Sequence, residues 1–163
     1  MELSSKEHLK PFAHAAQNRC FACGPANSTG MHLEFLIAPN GTVVSLPTVG
    51  ENFAGHPGYV HGGIIATLLD ETMSKAVSAL GKPAMTRNIE VDYRRPVPSG
   101  VPIRIEGRVV RSELSKHWAE ASILNAQGTV LAHGKGFFIQ MRPKQKITGQ
   151  PEGHLDEDRS GAG

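Results

Sequence analysis

His61-Gly-Gly-Ile-Ile-Ala-Thr-Leu-Leu-Asp70-Glu-Thr-Met-Ser-Lys-Ala-Val-Ser-Ala-Leu80-Gly81-Lys-Pro83 is the stretch that decides the fold of this chain. At 100° per residue, Ile65, Leu68, Leu69, Thr72, Met73, Ala76 and Leu80 fall within one sector of about 140°, and Thr67, Glu71, Ser74 and Lys75 lie opposite. The spacing predicts one amphipathic helix of about five turns. Gly81 suits its C-cap, and Pro83 prevents it from continuing.

Downstream the period changes to two. Met85 to Arg94 alternates through Ile89, Val91 and Tyr93, and Val101 to Arg111, Lys116 to Leu124 and Thr129 to Met141 also read as strands. Turn formers separate them at Pro96–Gly100, Ser112–Glu113 and Asn125–Gly128. Upstream, Met31–Ile37 and Thr42–Leu46 flank Pro39-Asn40-Gly41, a hairpin signal, and the Gly- and Pro-rich stretch Thr48–Tyr59 reads as loop. Met1–Gln17 carries a weakly helical pattern, and Cys20 to Gly30 is dense in turn residues. Beyond Arg142 the apolar content vanishes and disorder is expected. The organisation is therefore an N-terminal segment with a Cys-x-x-Cys loop (1–30), a main domain (31–141) and a tail (142–163).

No crossover helix is available between the four later strands, so they must run antiparallel. The expected fold is α+β, with one long central helix wrapped by a curved antiparallel sheet of five or six strands, the hotdog arrangement.

Composition agrees with one domain: 163 residues, 39% hydrophobic, 20% charged, formal net charge +2. Lys and Arg are scattered rather than gathered in a stripe, which argues against a nucleic-acid surface. The start of the chain lacks an apolar signal core, and the longest nearly apolar run, Gly62 to Leu69, is far short of the roughly 20 residues that span a bilayer. A cytoplasmic protein with no membrane span is expected.

Chemistry concentrates where the helix begins. Gly62 and Gly63 leave the first helical N–H groups uncovered, and those donors with the positive end of the dipole suit an oxygen that gains charge during a reaction. Asp70 sits on the edge of the apolar sector beside Ala66 and Val77, a setting that raises a carboxyl pKa by desolvation. Glu71 is expected to point outward as a solvated ion pair with Lys75.

Gly55-His56-Pro57-Gly58-Tyr59-Val60-His61-Gly62-Gly63, with Asp70 nine residues after His61, resembles the PaaI-type and Them-type acyl-CoA thioesterases of the hotdog superfamily. Met85-Thr86-Arg87-Asn88-Ile89 and Tyr93-Arg94-Arg95-Pro96 look like that family's strand after the helix. The resemblance implies that Asp70 is nucleophile or general base and that the Gly62 N–H polarises the thioester carbonyl. It also implies that Thr86 orients water or the carboxylate, and that His61 fixes the loop and the carbonyl. A thioester has a good leaving group, so one carboxylate and a pair of backbone donors suffice, and no metal or cofactor is required. Strict alternation from Ile89, Val91 and Tyr93 puts Thr86 on the opposite face. Either a bulge near Arg87 re-aims it, or the site lies on that face.

His56, 14 residues before Asp70, opens a second reading, an enoyl-thioester hydratase or dehydratase using His56 and Asp70. A third is a non-catalytic acyl-CoA-binding module, against which the presence of Asp70 speaks. Gly63, His56, Tyr59, Phe53, Met73 and Phe138 are the expected substrate neighbours. Arg94, Arg95, Arg104, Lys116, Lys135 and Arg142 are candidates for coenzyme A phosphates. The resemblance further implies a homodimer or dimer of dimers in which subunits pair edge to edge and each site draws its donors and its carboxylate from different protomers.

Cys20 and Cys23 admit three readings. Zinc needs more ligands, with only His8, His14 or His32 evident as partners, and a thioredoxin-like redox pair needs a strand-to-helix setting that is missing. The expectation is two small apolar side chains packing a turn.

Overall fold

The computed structural model describes residues 9–81 and 83–141. The helix, α1, runs Gly62–Ser78. The strands are β1 (Lys10–Pro11), β2 (Leu36–Ile37), β3 (Val43–Ser45), β4 (Ala84–Tyr93), β5 (Arg104–Glu113), β6 (Lys116–Leu124) and β7 (Val130–Gln140). They form one antiparallel sheet in the order β1-β2-β3-β5-β6-β7-β4, with β4 at an open edge. This is the hotdog arrangement, with seven strands rather than five or six. The extra strand comes from the N-terminal segment, where Pro11 cannot sit inside a helix and Lys10–Pro11 instead pairs with β2. The weakly helical pattern of Met1–Gln17 thus yields no helix over its described part. The tail, including Arg142, lies outside the described residues.

His61 caps the helix: its Nδ1 accepts the Gly63 N–H at 2.9 Å. At the other end Gly81 adopts φ +72°, a conformation that favours a residue without a Cβ. Ile65, Leu68, Leu69, Thr72, Met73, Ala76 and Val77 are buried. Leu80, expected on this face, is 48% exposed because the helix ends two residues before it.

Against that face the sheet presents glycine. A Cβ on Gly107 would lie 2.8 Å from Thr72 Cγ2 and 3.2 Å from the Thr72 carbonyl oxygen, and one on Gly134 would lie 3.2 Å from Leu69 Cβ. The helix therefore rests almost on strand backbone, and Met73 and Phe138, both fully buried, fill the space beside it.

Two irregularities matter. β4 pairs Thr86 with Phe138 but Asn88 with Phe137, so Arg87 is an extra residue, a bulge. Thr86 is thereby returned to the helix-facing side along with Ile89, Val91 and Tyr93, whose partners Gly136, Gly134 and Ala132 share the face of Phe138. Between β5 and β6, the strand runs on through Ser112–Glu113 and turns at Leu114–Ser115. Leu114 there has φ +50° and stands 95% exposed. A two-residue hairpin demands positive φ, and Leu-Ser lacks the Asn-Gly signature that announces it.

Glu71 and Lys75 do pair, at 3.0 Å, but their side chains are only 13% and 14% exposed. Residues of the N-terminal segment cover them. The Phe12 ring lies 5.2 Å beneath the Lys75 ammonium, and Phe12 itself is tied by its N–H to the Phe35 carbonyl. The outer helix face is a second packing surface, not a solvated one. Burial lowers the Lys75 pKa, but the Glu71 carboxylate outweighs it and the net displacement is upward.

Gly107→Ala is expected to destabilise the fold by about 1–3 kcal/mol, since the added methyl meets helix backbone that cannot rotate away. A thermal or urea melt should register the loss, whereas alanine at Gly128, an exposed turn, should cost about 1 kcal/mol or less from its positive φ alone.

Candidate active site

Two sets of polar groups lie along α1, one at its start and one two turns on. The first is built by the loop before the helix. Gly55 N–H donates to the Tyr59 carbonyl, Tyr59 N–H to that of His56, and Gly58 turns the chain at φ +82°. His61 N–H donates to the Phe53 carbonyl, which fixes where the helix begins. A Cβ on Gly55 would lie 3.2 Å from His61 Cα, so a side chain there would press the loop away from the cap by a few tenths of an ångström.

With the Gly63 N–H held by His61 Nδ1, the Gly62 N–H is the glycine amide left without an acceptor among the described residues. The expected pair of donors is thus reduced: Gly63 is a cap partner. Tyr93 reaches over from β4, and its hydroxyl donates to the Gly62 carbonyl at 3.0 Å. These groups wall a cleft of about 980 Å³ lined by His56, Tyr59, His61, Gly62, Tyr93, Arg94 and Arg95 among others.

The second set is Asp70 and Thr86. The Thr86 hydroxyl donates to Asp70 Oδ1 at 2.8 Å, a contact that the Arg87 bulge makes possible. Burial pushes the Asp70 pKa above its ordinary value, the Thr86 hydrogen bond opposes this, and the charge of Glu71 adds to it; the net displacement is upward. Asp70 does not line the cleft. Eight residues separate it from Gly62, about 12 Å along the helix axis.

The residues expected in the site therefore divide. Asp70 and Thr86 meet; His61, Gly62, His56 and Tyr59 gather at the cleft; and the two groups are apart within one chain. Phe53 is no liner: its ring packs edge-on against Phe21, 6.2 Å between centroids. Met73 and Phe138 lie fully inside the core. Of the basic candidates, Arg94 and Arg95 reach the cleft. Arg104 is paired with Glu106, while Lys135 lies in a groove on the outer sheet face with Trp118 and Phe137. Lys116 opens β6 and does not line the cleft. Tyr93 is the residue that sequence reasoning left out of the site. Its parity with Ile89 and Val91 already placed it on the helix-facing side, at a strand end where a hydroxyl can reach the helix start.

This architecture has known counterparts. Residues 57–132, a little under half of the chain, match the family model described as the thioesterase superfamily. The acyl-coenzyme A thioesterase THEM4 of Xenopus laevis is 32% identical over 102 residues, covering 62% of this chain and 46% of that protein. The chain thus spans about half the length of the curated relatives it matches. Among solved structures, the thioesterase superfamily protein RHA08564 superposes with a TM-score of 0.72 at 28% identity, over 76% of this chain and 61% of that one. The BH2602 protein of Bacillus halodurans, solved with CoA, gives 0.62 at 26% identity, over 70% and 77%. No helix among the described residues is long and apolar enough to cross a membrane.

The upward displacement at Asp70 has a stability consequence. Between the ordinary carboxyl range and its folded pKa the native state holds the proton more often than the unfolded chain, so stability falls as pH rises through that window. Asp70→Asn keeps an oxygen for Thr86 and carries no charge. Its melting temperature is expected to exceed that of the parent chain at neutral pH and to converge with it in acid.

Proposed function

We propose that this protein hydrolyses acyl-CoA thioesters in a site shared by two copies of the chain, the Gly62 amide coming from one and Asp70 from the other. The observation that carries the reading is the separation itself: an amide donor at the helix start and a poised carboxylate about 12 Å along the same helix cannot serve one thioester carbon from a single chain. The edge strand β4 supports the pairing. It is ten residues long, has no partner on one side among the described residues, and exposes Met85 and Tyr93. An unprotected edge of that length is a template for a second strand, and a two-fold axis there would bring each Asp70 towards the other copy's cleft.

In that site the thioester carbonyl oxygen rests on the Gly62 N–H at the positive end of the helix dipole, and the charge of the tetrahedral intermediate develops there. Thr86 holds Oδ1 of Asp70 and leaves Oδ2 to act. As general base, Asp70 takes the proton of the attacking water; as nucleophile, it forms a mixed anhydride that water then opens. Either route consumes one water and yields the free acid and the CoA thiol. Support for the substrate class comes from the named relative and from the CoA-bound neighbour. Arg94 and Arg95 on the cleft wall supply charge for phosphates. His56 lines the same cleft as Gly62, so an assembly that brings Asp70 there would also serve the enoyl hydratase reading, and turnover of saturated acyl-CoAs separates the two reactions.

A thiol-release assay over saturated acyl-CoAs of graded length tests the proposal. Asp70→Asn is expected to lose 10²-fold or more, on the scale of removing a general base. Gly62→Pro deletes the amide donor at a helix position that tolerates proline and should also be inactive. Mixing and reassembling the two inactive variants should restore about a quarter of the parental activity, because half the dimers are mixed and each mixed dimer has one intact site. No recovery on mixing would mean that the two groups do not act together across an interface.

A further inference from the structure

The Cys-x-x-Cys turn is the cluster that thioester chemistry does not use. Cys20 and Cys23 are bent to one side by a tight turn closed by the Gly24 N–H on the Cys20 carbonyl at 2.9 Å. The turn packs against the outer face of α1, where Glu71 meets it. One ligand atom from each of Cys20, Cys23 and Glu71 lies within 4.8 Å of the other two. Both cysteines are free.

We propose that Cys20, Cys23 and Glu71 form a zinc site that fastens the N-terminal turn to the central helix. Four observations carry it. The x₂ spacing is that of zinc chelates, in which two sulfurs from one turn share an ion. Zinc with sulfur at about 2.3 Å and carboxylate oxygen at about 2.0–2.2 Å spaces its ligands roughly 3.5–3.8 Å apart. Cys20 Sγ already stands 3.9 Å from Glu71 Oε2, and small side-chain rotations close the rest.

The carboxylate is also divided in the required way. Oε1 faces the Lys75 ammonium at 3.0 Å, while Oε2 is turned to the sulfurs. Charge then balances: two thiolates and a carboxylate carry three negative charges, which zinc and Lys75 together cancel, so the buried group is neutral as a whole. Finally, Asn18 Nδ2 donates to Cys23 Sγ at 3.5 Å, the kind of outer contact that orients a metal-bound sulfur.

Binding exchanges two thiol protons, released to solvent, for one Zn²⁺, with no change of oxidation state. Three protein ligands leave one corner of the tetrahedron open. Cys23 and Ala22 are buried, and half-buried Cys20 gives the ion its way in. The histidines that the sequence offered as partners, His14 and His32, do not join the cluster, and His8 lies outside the described residues. The third ligand comes instead from the helix, 48 residues after Cys23. The role is structural and independent of the thioesterase reading: it ties the turn around Cys20–Cys23 to α1 next to Asp70.

The full chain, kept reduced with a thiol-free reductant, is incubated with Zn²⁺ or with Co²⁺ alone. Native mass spectrometry is expected to show one zinc per chain that survives dialysis, and cobalt to give a thiolate-to-metal charge-transfer band in the near ultraviolet. Cys20→Ser and Cys23→Ser should each weaken zinc at least about tenfold and reduce the band, and Glu71→Gln should weaken zinc to a similar degree while keeping it. Zinc should raise the melting temperature of the parent chain and not of the cysteine variants. A parent chain that remains at its apo mass after incubation, or lacks the cobalt band, overturns the proposal without reference to any variant. So does a mass two hydrogens lighter that persists in the reductant, which would identify a disulfide.

Discussion

The structure depends on how closely α1 approaches the sheet. At Gly107 and Gly134 the space a methyl group would need is already taken by Thr72 and Leu69, so the helix is in contact with strand backbone and cannot slide or roll without a clash. That fixed seating carries the polar border of the helix to defined places. One residue of rotation, 100°, would take Asp70 away from β4 and expose a buried neighbour in exchange. The Asp70–Thr86 hydrogen bond is thus a product of core packing on the other side of the helix, and the bulge at Arg87 is the matching adjustment made by the strand.

Because the helix is fixed, the two sets of polar groups, the halves of the site proposed above, are fixed apart. The N-terminal half needs the loop at Gly55–Gly58, the His61 cap and the Tyr93 hydroxyl, all of which serve to present the Gly62 amide at the mouth of the cleft. The other half needs a partly dry strand edge. β4 supplies both, since Tyr93 at its end closes over Gly62 and Thr86 near its start holds Asp70. A strand that touches both sets and is open along one side among the described residues fits the subunit seam of that proposal.

Periodicity made the helix, the four long strands and the Asn-Gly hairpin legible, because each rests on a repeat of 3.6 or 2 that neighbouring residues reinforce. What escaped depends on contacts between distant segments. The Arg87 bulge leaves no local mark beyond the parity conflict at Thr86, and the Leu114 turn lacks the residues that usually signal positive φ. A helical wheel ranks apolarity without saying which apolar residues meet a cleft. Met73 and Phe138 therefore looked like substrate neighbours and are core, and Glu71 looked solvated although the N-terminal segment covers it. The motif around His61 was legible as a set of residues. Its division into two places was not, since distance along a helix becomes decisive only once the strands facing it are known.

Asp70 and Glu71 show how one step along a helix separates two tasks. The 100° between them sends one carboxylate to β4 and the other to the N-terminal turn. Each is partly dehydrated, and each is compensated differently: Asp70 by a single hydroxyl, Glu71 by the Lys75 ammonium. A neutral hydroxyl offsets desolvation only in part, so the Asp70 pKa stays displaced upward, towards the range in which a carboxylate is a better proton acceptor at neutral pH. A full cation at the same place would have removed that displacement and the basicity with it. Glu71 has no such requirement, and its strong ion pair lets the helix bury a charge where the N-terminal segment must be held. The charge of Glu71 also reaches Asp70 and adds to its upward displacement, so the ion pair that secures the outer face bears on the protonation of the carboxyl at the edge.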